Sequence, residues 1–222
     1  TTGFDSLRAS WGAVTSATSY TVQVARNSGF STGLQTSTTT STSRDLTGLA
    51  YNTQHYVRVR AEYNGNHGPW STTTNRSTNG LSAPGSFNAT TSSTSQINTS
   101  WSSVSGATGY YVQWSKSSSF SSPSGVSLSG TSRSVTGLSA GTTYYLRVRA
   151  VWSGNNGPWS STDTAVTKPS NPTNASIAAA MSGTNAVGTA SASCAQGSVQ
   201  YQIRTRGTNT TTMGNWSSWS SW

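Results

Sequence analysis

The chain matches itself at a nearly fixed offset, and that self-match limits the fold more than any other property. Trp11, Tyr20, Val22 and Phe30 recur as Trp101, Tyr110, Val112 and Phe120, a shift of 90 residues. Arg44–Leu49 (RDLTGL) recurs as Arg133–Leu138 (RSVTGL) at a shift of 89, and His55–Ala61 (HYVRVRA) as Tyr144–Ala150 (YYLRVRA). Asn64–Ser71 (NGNHGPWS) returns in shortened form as Gly154–Ser160 (GNNGPWS). A third, weaker copy carries Arg204-Thr-Arg206 and then Trp216-Ser. In all three copies the second arginine precedes a tryptophan by ten residues: Arg60 and Trp70, Arg149 and Trp159, Arg206 and Trp216. Self-similarity of this kind marks a chain built from successive copies of one unit.

Within a copy the period is two. Tyr20, Val22 and Val24 alternate with Thr21 and Gln23, and His55, Val57, Val59 and Ala61 alternate with Tyr56, Arg58 and Arg60. A period of two puts alternate side chains on opposite faces of a strand, and β-branched, Thr-rich segments suit that conformation. Gly/Asn/Ser clusters at Asn64–Gly68 and Ser153–Gly157 read as hairpin loops. No stretch has helical periodicity. Short strands with one apolar face each, about seven per copy, predict a sandwich of two sheets.

Composition must be reconciled with that fold. Only 8% of residues are charged, Ser and Thr fill more than a third of the chain, and the net charge is +9. Few aliphatics with a high net charge would ordinarily accompany disorder. Nine Trp, nine Tyr and four Phe restore the missing apolar area, because each ring buries far more surface than an aliphatic side chain. Residues 4–168 are therefore expected to fold, with Trp11 and Trp101 buried.

At this point the residues resemble a known family. The order Trp11, Tyr20-x-Val22, Leu46-Thr-Gly-Leu49, Val57-Arg-Val59-Arg-Ala61 and Gly68-Pro-Trp-Ser71 is similar to that of a fibronectin type III domain. Leu138-Ser-Ala-Gly-Thr-Thr-Tyr144 leads into the second copy's Arg-x-Arg strand as in that family, and the resemblance places Tyr144 at its corner tyrosine. The first copy has His55 there. The implied fold class is all-β, with tandem immunoglobulin-like sandwiches at 1–79 and 80–168 and a divergent, incomplete repeat at 169–222. The first copy is expected to lack its initial strand, which the second shows as Ala83-Pro-Gly-Ser-Phe87. The joins are short, Ser77–Pro84 and Lys168–Pro172, the latter stiffened by two prolines.

Little here could carry catalysis. The acids are Asp5, Asp45, Glu62 and Asp163, beside two His and one Cys. Cys194 has no internal disulfide partner, and His55 and His67 do not fall at metal-ligand spacing. No enzyme, cofactor or metal site is expected. His55 is read as a hydrogen-bonded structural residue, Asp45 and Asp163 as turn or strand-end residues, and Cys194 as a small buried strand residue. No apolar run approaches the length of a bilayer span, so no membrane insertion is expected.

The most specific candidate site is an arginine–aromatic ladder: Arg58, Arg60 and Trp70; Arg147, Arg149 and Trp159; Arg204, Arg206, Trp216 and Trp219. Alternate arginines share a strand face, and a neighbouring tryptophan can lay its indole on a guanidinium. Trp216-Ser-Ser-Trp219-Ser resembles the Trp-Ser-x-Trp-Ser box of cytokine receptors, which implies an interleaved ladder. Two readings stand: a brace that rigidifies each domain, or an exposed surface that grips sugars or anionic polymers. Tyr56, Tyr145, Tyr63 and Trp152 are outward aromatics, read as core packing or contact with the neighbouring domain, with platforms for sugar rings as the alternative. Eleven of the thirteen basic residues are Arg, and six of those lie in the three Arg-x-Arg strands. With no phosphate loop or recognition helix, specific nucleic-acid binding is not expected.

The six Asn-x-Ser/Thr triplets, at Asn75, Asn88, Asn98, Asn174, Asn209 and Asn215, arise readily in so hydroxyl-rich a chain and assign no glycosylation. The functional expectation is a non-catalytic, extracellular structural or adhesive repeat array, at the cell surface, secreted or on a virion. The Ser/Thr/Gly/Asn texture resembles bacterial surface appendages and phage tails. Its partners would be cell-surface glycans or other anionic polymers, and neighbouring copies or domains of a larger assembly. The alternative is an accessory segment of a secreted polysaccharide-degrading enzyme.

Overall fold

The computed structural model describes residues 2–171, 173–182, 185–193, 208–209 and 212–213, and among them every element is a strand. The first copy folds as β1 (Leu7–Ser10), β2 (Ser19–Ala25), β3 (Gln35–Thr39), β4 (Ser43–Leu46), β5 (Gln54–Tyr63), β6 (Asn66–His67) and β7 (Thr74–Ser77). One sheet is β1-β4. The other runs β3-β2-β5-β6, with β7 pairing the opposite end of β5. The second copy is β8 (Asn88–Thr91), β9 (Ile97–Ser100), β10 (Gly109–Ser115), β11 (Ser124–Leu128), β12 (Ser132–Val135), β13 (Thr143–Trp152), β14 (Asn155–Trp159) and β15 (Asp163–Val166). Its sheets are β12-β9-β8 and β11-β10-β13-β14, with β15 on β13. All pairings are antiparallel. Beyond them β16 (Thr173–Ser182) forms a hairpin with β17 (Asn185–Ser193), and β18 (Thr208–Asn209) pairs with β19 (Thr212–Met213).

The period of two is realised residue by residue. Tyr20, Val22 and Val24 turn inward from β2, as Tyr110 and Val112 do from β10. Val22 and Val24 meet Leu7, Leu46 and Leu49 in the first unit, and Tyr110 and Val112 meet Ile97, Val135 and Leu138 in the second. Each sandwich thus closes a mostly apolar interior between two half-polar sheets, as aligned sheet packing requires. Trp101 is 6% exposed, but Trp11 is only half-buried, against expectation. Both rings meet a tyrosine, Tyr20 or Tyr110, but Trp101 also packs on Phe87, which leads into β8, the strand that extends the small sheet of the second unit.

Buried hydroxyls make the Ser/Thr-rich composition compatible with a core. Thr78 Oγ1 donates to Ala50 O at 2.6 Å and accepts the Thr53 N–H at 3.0 Å. Thr167 repeats both bonds with Ser139 O and Thr142 N. Each closes the loop entering the long strand, and each is almost fully buried. The Tyr144 hydroxyl accepts the Ser139 N–H at 3.0 Å, tying down the same corner. His55 sits buried at the equivalent position and is hydrogen-bonded through Nδ1 to Thr53 O instead. Asp45 lies within β4, ion-paired to Arg8, and Asp163 opens β15.

The two sandwiches touch through rings. Trp152 packs on Phe4 and Tyr51, with centroids 5.1 and 5.9 Å apart, and the Tyr51 hydroxyl accepts the Leu81 N–H at 2.7 Å. Gly106, at φ +79°, lies directly under the Phe4 ring, where a Cβ would collide with it. Tyr63, by contrast, is 51% exposed.

Candidate functional site

The ladder lies on the outer face of the larger sheet in each unit. Strand pairing sets Gln23 opposite Arg58 and Thr21 opposite Arg60, and likewise Gln113 opposite Arg147 and Tyr111 opposite Arg149. Cross-strand neighbours on one face sit close enough to bond, and here they do. Gln23 Oε1 accepts from Arg58 Nε at 2.9 Å and Nη2 at 2.7 Å. Gln113 Oε1 accepts from Arg147 at 2.8 and 2.6 Å.

Two rings pack on the first guanidinium in each pair. Arg58 Cζ lies 4.0 Å from the Phe30 centroid and 4.4 Å from that of Trp70. Arg147 lies 3.8 Å from Phe120 and 4.2 Å from Trp159. Arg60 and Arg149 lie over the same tryptophans, at 4.7 and 4.5 Å. Burial, and then the adjacent Arg149 cation, draw Arg147 below the usual arginine value. The bulge between β13 and β14 brings Trp159 opposite Arg149, so the spacing read in the sequence is the return distance of a hairpin.

Phe30 and Phe120 close the stack from an unusual backbone, with φ of 55° and 54°. A bulky residue in the left-handed region is strained by roughly 1–2 kcal/mol. Its recurrence in both units follows from what the ring covers. Each phenylalanine ends a tight turn, its N–H donating to Asn27 O or Ser117 O, so the turn aims the ring at the guanidinium.

The units differ at the second arginine. In the first, Arg60 Nε donates to Glu62 Oε1 at 2.9 Å; that carboxylate also accepts from Thr21 Oγ1 at 2.5 Å and bonds His67 Nδ1. The bonds from Thr21 and His67, with Arg60 contributing less, lower the Glu62 pKa to about 2 against the desolvation that would raise it. In the second unit Val151 stands in place of Glu62 and Tyr111 in place of Thr21. The Tyr111 ring lies 6.1 Å from Trp159 and 5.3 Å from the Arg149 guanidinium, and it rests over Gly125, whose lack of a Cβ admits it. Arg149 Nε has no hydrogen-bond partner among the described residues.

The structure therefore brings together Arg58, Arg60 and Trp70, and separately Arg147, Arg149 and Trp159. Arg204, Arg206, Trp216, Trp219 and Cys194 lie outside the described residues. Sequence reasoning missed Gln23, Gln113, Phe30, Phe120 and the Glu62–His67 pair as ladder members. Gln and Phe recur at a shift of 90, beside the 89 of the arginines, and that was the available signal. Among the described residues no group of His, Cys, Asp and Glu could hold a metal ion, and no helix is long and apolar enough to cross a membrane.

Residues 82–166 match the family model described as "Fibronectin type III domain". Among solved structures, the FN1–FN3 domains of chicken CNTN1 are 20% identical, with 75% of this chain and 61% of that one covered and a TM-score of 0.39. A two fibronectin type III domain segment from chicken tenascin is 16% identical, with 75% and 95% covered and a TM-score of 0.43. This chain thus spans less than two thirds of the CNTN1 chain it matches.

Proposed function

We propose that this chain is a non-catalytic structural spacer in an extracellular repeat array of a bacterial surface appendage or phage tail, its ladder bracing each sandwich. The observation that carries the reading is the closure of the stack. In both units one arginine packs on a phenylalanine and a tryptophan while a glutamine takes two of its donors. A ligand site needs free donors and a free ring face, whereas a brace consumes them. The Phe4–Tyr51–Trp152 cluster supports a spacer, because a packed joint carries load and direction from one unit to the next. The hydroxyl-rich, weakly charged composition supports an exposed setting without strong electrostatic steering.

Small-angle scattering tests the spacer. The full chain should fit one fixed arrangement of the two sandwiches, and Trp152→Ala should broaden the distribution of distances between them without unfolding either. A wild-type chain as broad as the variant refutes the rigid joint. Turnover of polysaccharides, esters or peptides by pure protein, abolished by Asp45→Asn or Glu62→Gln, overturns the non-catalytic reading. Binding to glycans that is lost in Trp159→Ala with stability unchanged overturns the brace.

A further inference from the structure

We propose that Arg149 and the groups around it form a binding site for an acidic sugar of an anionic polysaccharide, the sugar carboxylate taking the terminal nitrogens of the guanidinium. This activity goes beyond the brace, which rests on Arg147.

The two units differ in how the second arginine is used. Arg60 and Glu62, like Arg149 and Val151, are alternate residues of one strand and share its outer face. Pairing sets Ser19, Glu62 and His67 in one row of the first sheet, and Gly109, Val151 and Asn156 in the matching row of the second. The carboxylate that accepts from Arg60 is thus exchanged for an aliphatic side chain. No other acid of residues 1–222 takes its place: Asp5 and Asp45 belong to the first unit, and Asp163 accepts from the Ala89 and Thr164 N–H groups. Arg149 enters no hydrogen bond or ion pair among the described residues; its Nε is enclosed, and its two terminal nitrogens reach solvent. An arginine fork with free donors matches a planar carboxylate, and charge-assisted pairs are the stronger hydrogen bonds. Two guanidinium groups also share Trp159 and repel each other; after burial, the Arg149 charge is what lowers Arg147. An anion at Arg149 offsets that repulsion, as Glu62 does in the first unit.

The surroundings favour a sugar over a peptide. Tyr111 and Trp159 lie beside the guanidinium, and the Tyr111 hydroxyl, over Gly125, makes no hydrogen bond among the described residues. Ser127, opposite Tyr111, and Asn156, opposite Val151, are exposed. Rings, hydroxyls and an amide around one cation suit the C–H surface, hydroxyls and single carboxylate of an acidic sugar. A peptide strand needs a free backbone edge beside the cation, and β13 is paired on both sides. The net charge of +9 favours an anionic polymer over a neutral one.

The test titrates the full chain with a tetramer of galacturonic acid, beside a galactose tetramer and an acetylated, amidated tetraglutamate of equal charge. NMR follows the Arg149 side-chain and Trp159 indole signals. The acidic sugar should shift both saturably, with the neutral sugar and the peptide at least about tenfold weaker. Val151→Glu supplies an internal acceptor and should weaken binding at least about tenfold with no fall in the urea midpoint, a combination that damage to the fold does not produce. Val14→Glu, the same change at a position 52% exposed in the first unit, should alter binding by less than about twofold. Arg149→Lys keeps the charge without the fork and should lose about fivefold, and it decides alone if Val151→Glu does not fold. No saturable shift, equal binding of either control ligand, equal weakening by Val14→Glu, or full binding by the folded Val151→Glu or Arg149→Lys protein overturns the proposal. The brace fails instead on unchanged stability in Arg147→Ala, so the two readings are separable.

Discussion

Replacing Arg147 by alanine should cost the second sandwich about 2–3 kcal/mol, and replacing Arg149 only about 1. The difference is built from contacts. Arg147 has two rings packed on it, at 3.8 and 4.2 Å, each worth about 0.5–1 kcal/mol at a partly exposed site. Its paired bonds to Gln113 add about 1 kcal/mol net, since Gln113 is itself half-exposed and regains water when they are lost. The arginine stem also covers the sheet, and that packing goes with it. Arg149 has Trp159 at 4.5 Å and a more distant Tyr111, and its Nε makes no hydrogen bond among the described residues. Native-state hydrogen exchange in the full chain reads the effect at the amides of Leu146 and Val148, in the strand centre opposite Trp114 and Val112. With Trp159→Ala the cycle should show a coupling of about 1 kcal/mol, because the two single losses share one contact. An Arg147→Ala cost below about 0.5 kcal/mol, additivity with Trp159→Ala, or a larger cost at Arg149 would refute the stacked brace.

Phe120→Ala should destabilise the second unit by about 3 kcal/mol, and Phe120→Gly by about 1 less, since glycine relieves the positive φ that alanine keeps; denaturant titration orders the two, and alanine no worse than glycine contradicts the strain. The low pKa of Glu62 gives the first unit stability that is complete above the ordinary carboxylate value of 4.5 and is lost as pH falls toward about 2. Unfolding followed separately for each unit should show that acid loss in the first alone, and Glu62→Gln should abolish it. Val151→Glu supplies the acceptor that Arg149 lacks and should stabilise the second unit by up to about 1 kcal/mol, read as a raised midpoint in urea.

The alternation of Tyr20, Val22 and Val24, repeated at Tyr110 and Val112, was enough by itself to determine the strands and their buried faces, because side-chain direction along a strand is a local property. Recurrence at a shift of 89–90 predicted that the ladder would be rebuilt in each copy, and it is built in the two described units. The tertiary structure decided what surrounds it. Gln23 and Arg58 lie 35 positions apart and meet only through the pairing of β2 with β5. Phe30 reaches the same guanidinium from a turn whose left-handed residue no propensity announces. Glu62 shows the limit most plainly: an acid in a strand is solvated or buried according to its neighbours, and Thr21, Arg60 and His67 converge on it from two adjacent strands and a hairpin. Trp11 and Trp101 occupy matching positions in the repeat, yet the first is half-buried and the second enclosed. Burial depends on what packs against the ring: each tryptophan meets a tyrosine, Tyr20 or Tyr110, but Trp101 also takes Phe87, just ahead of β8.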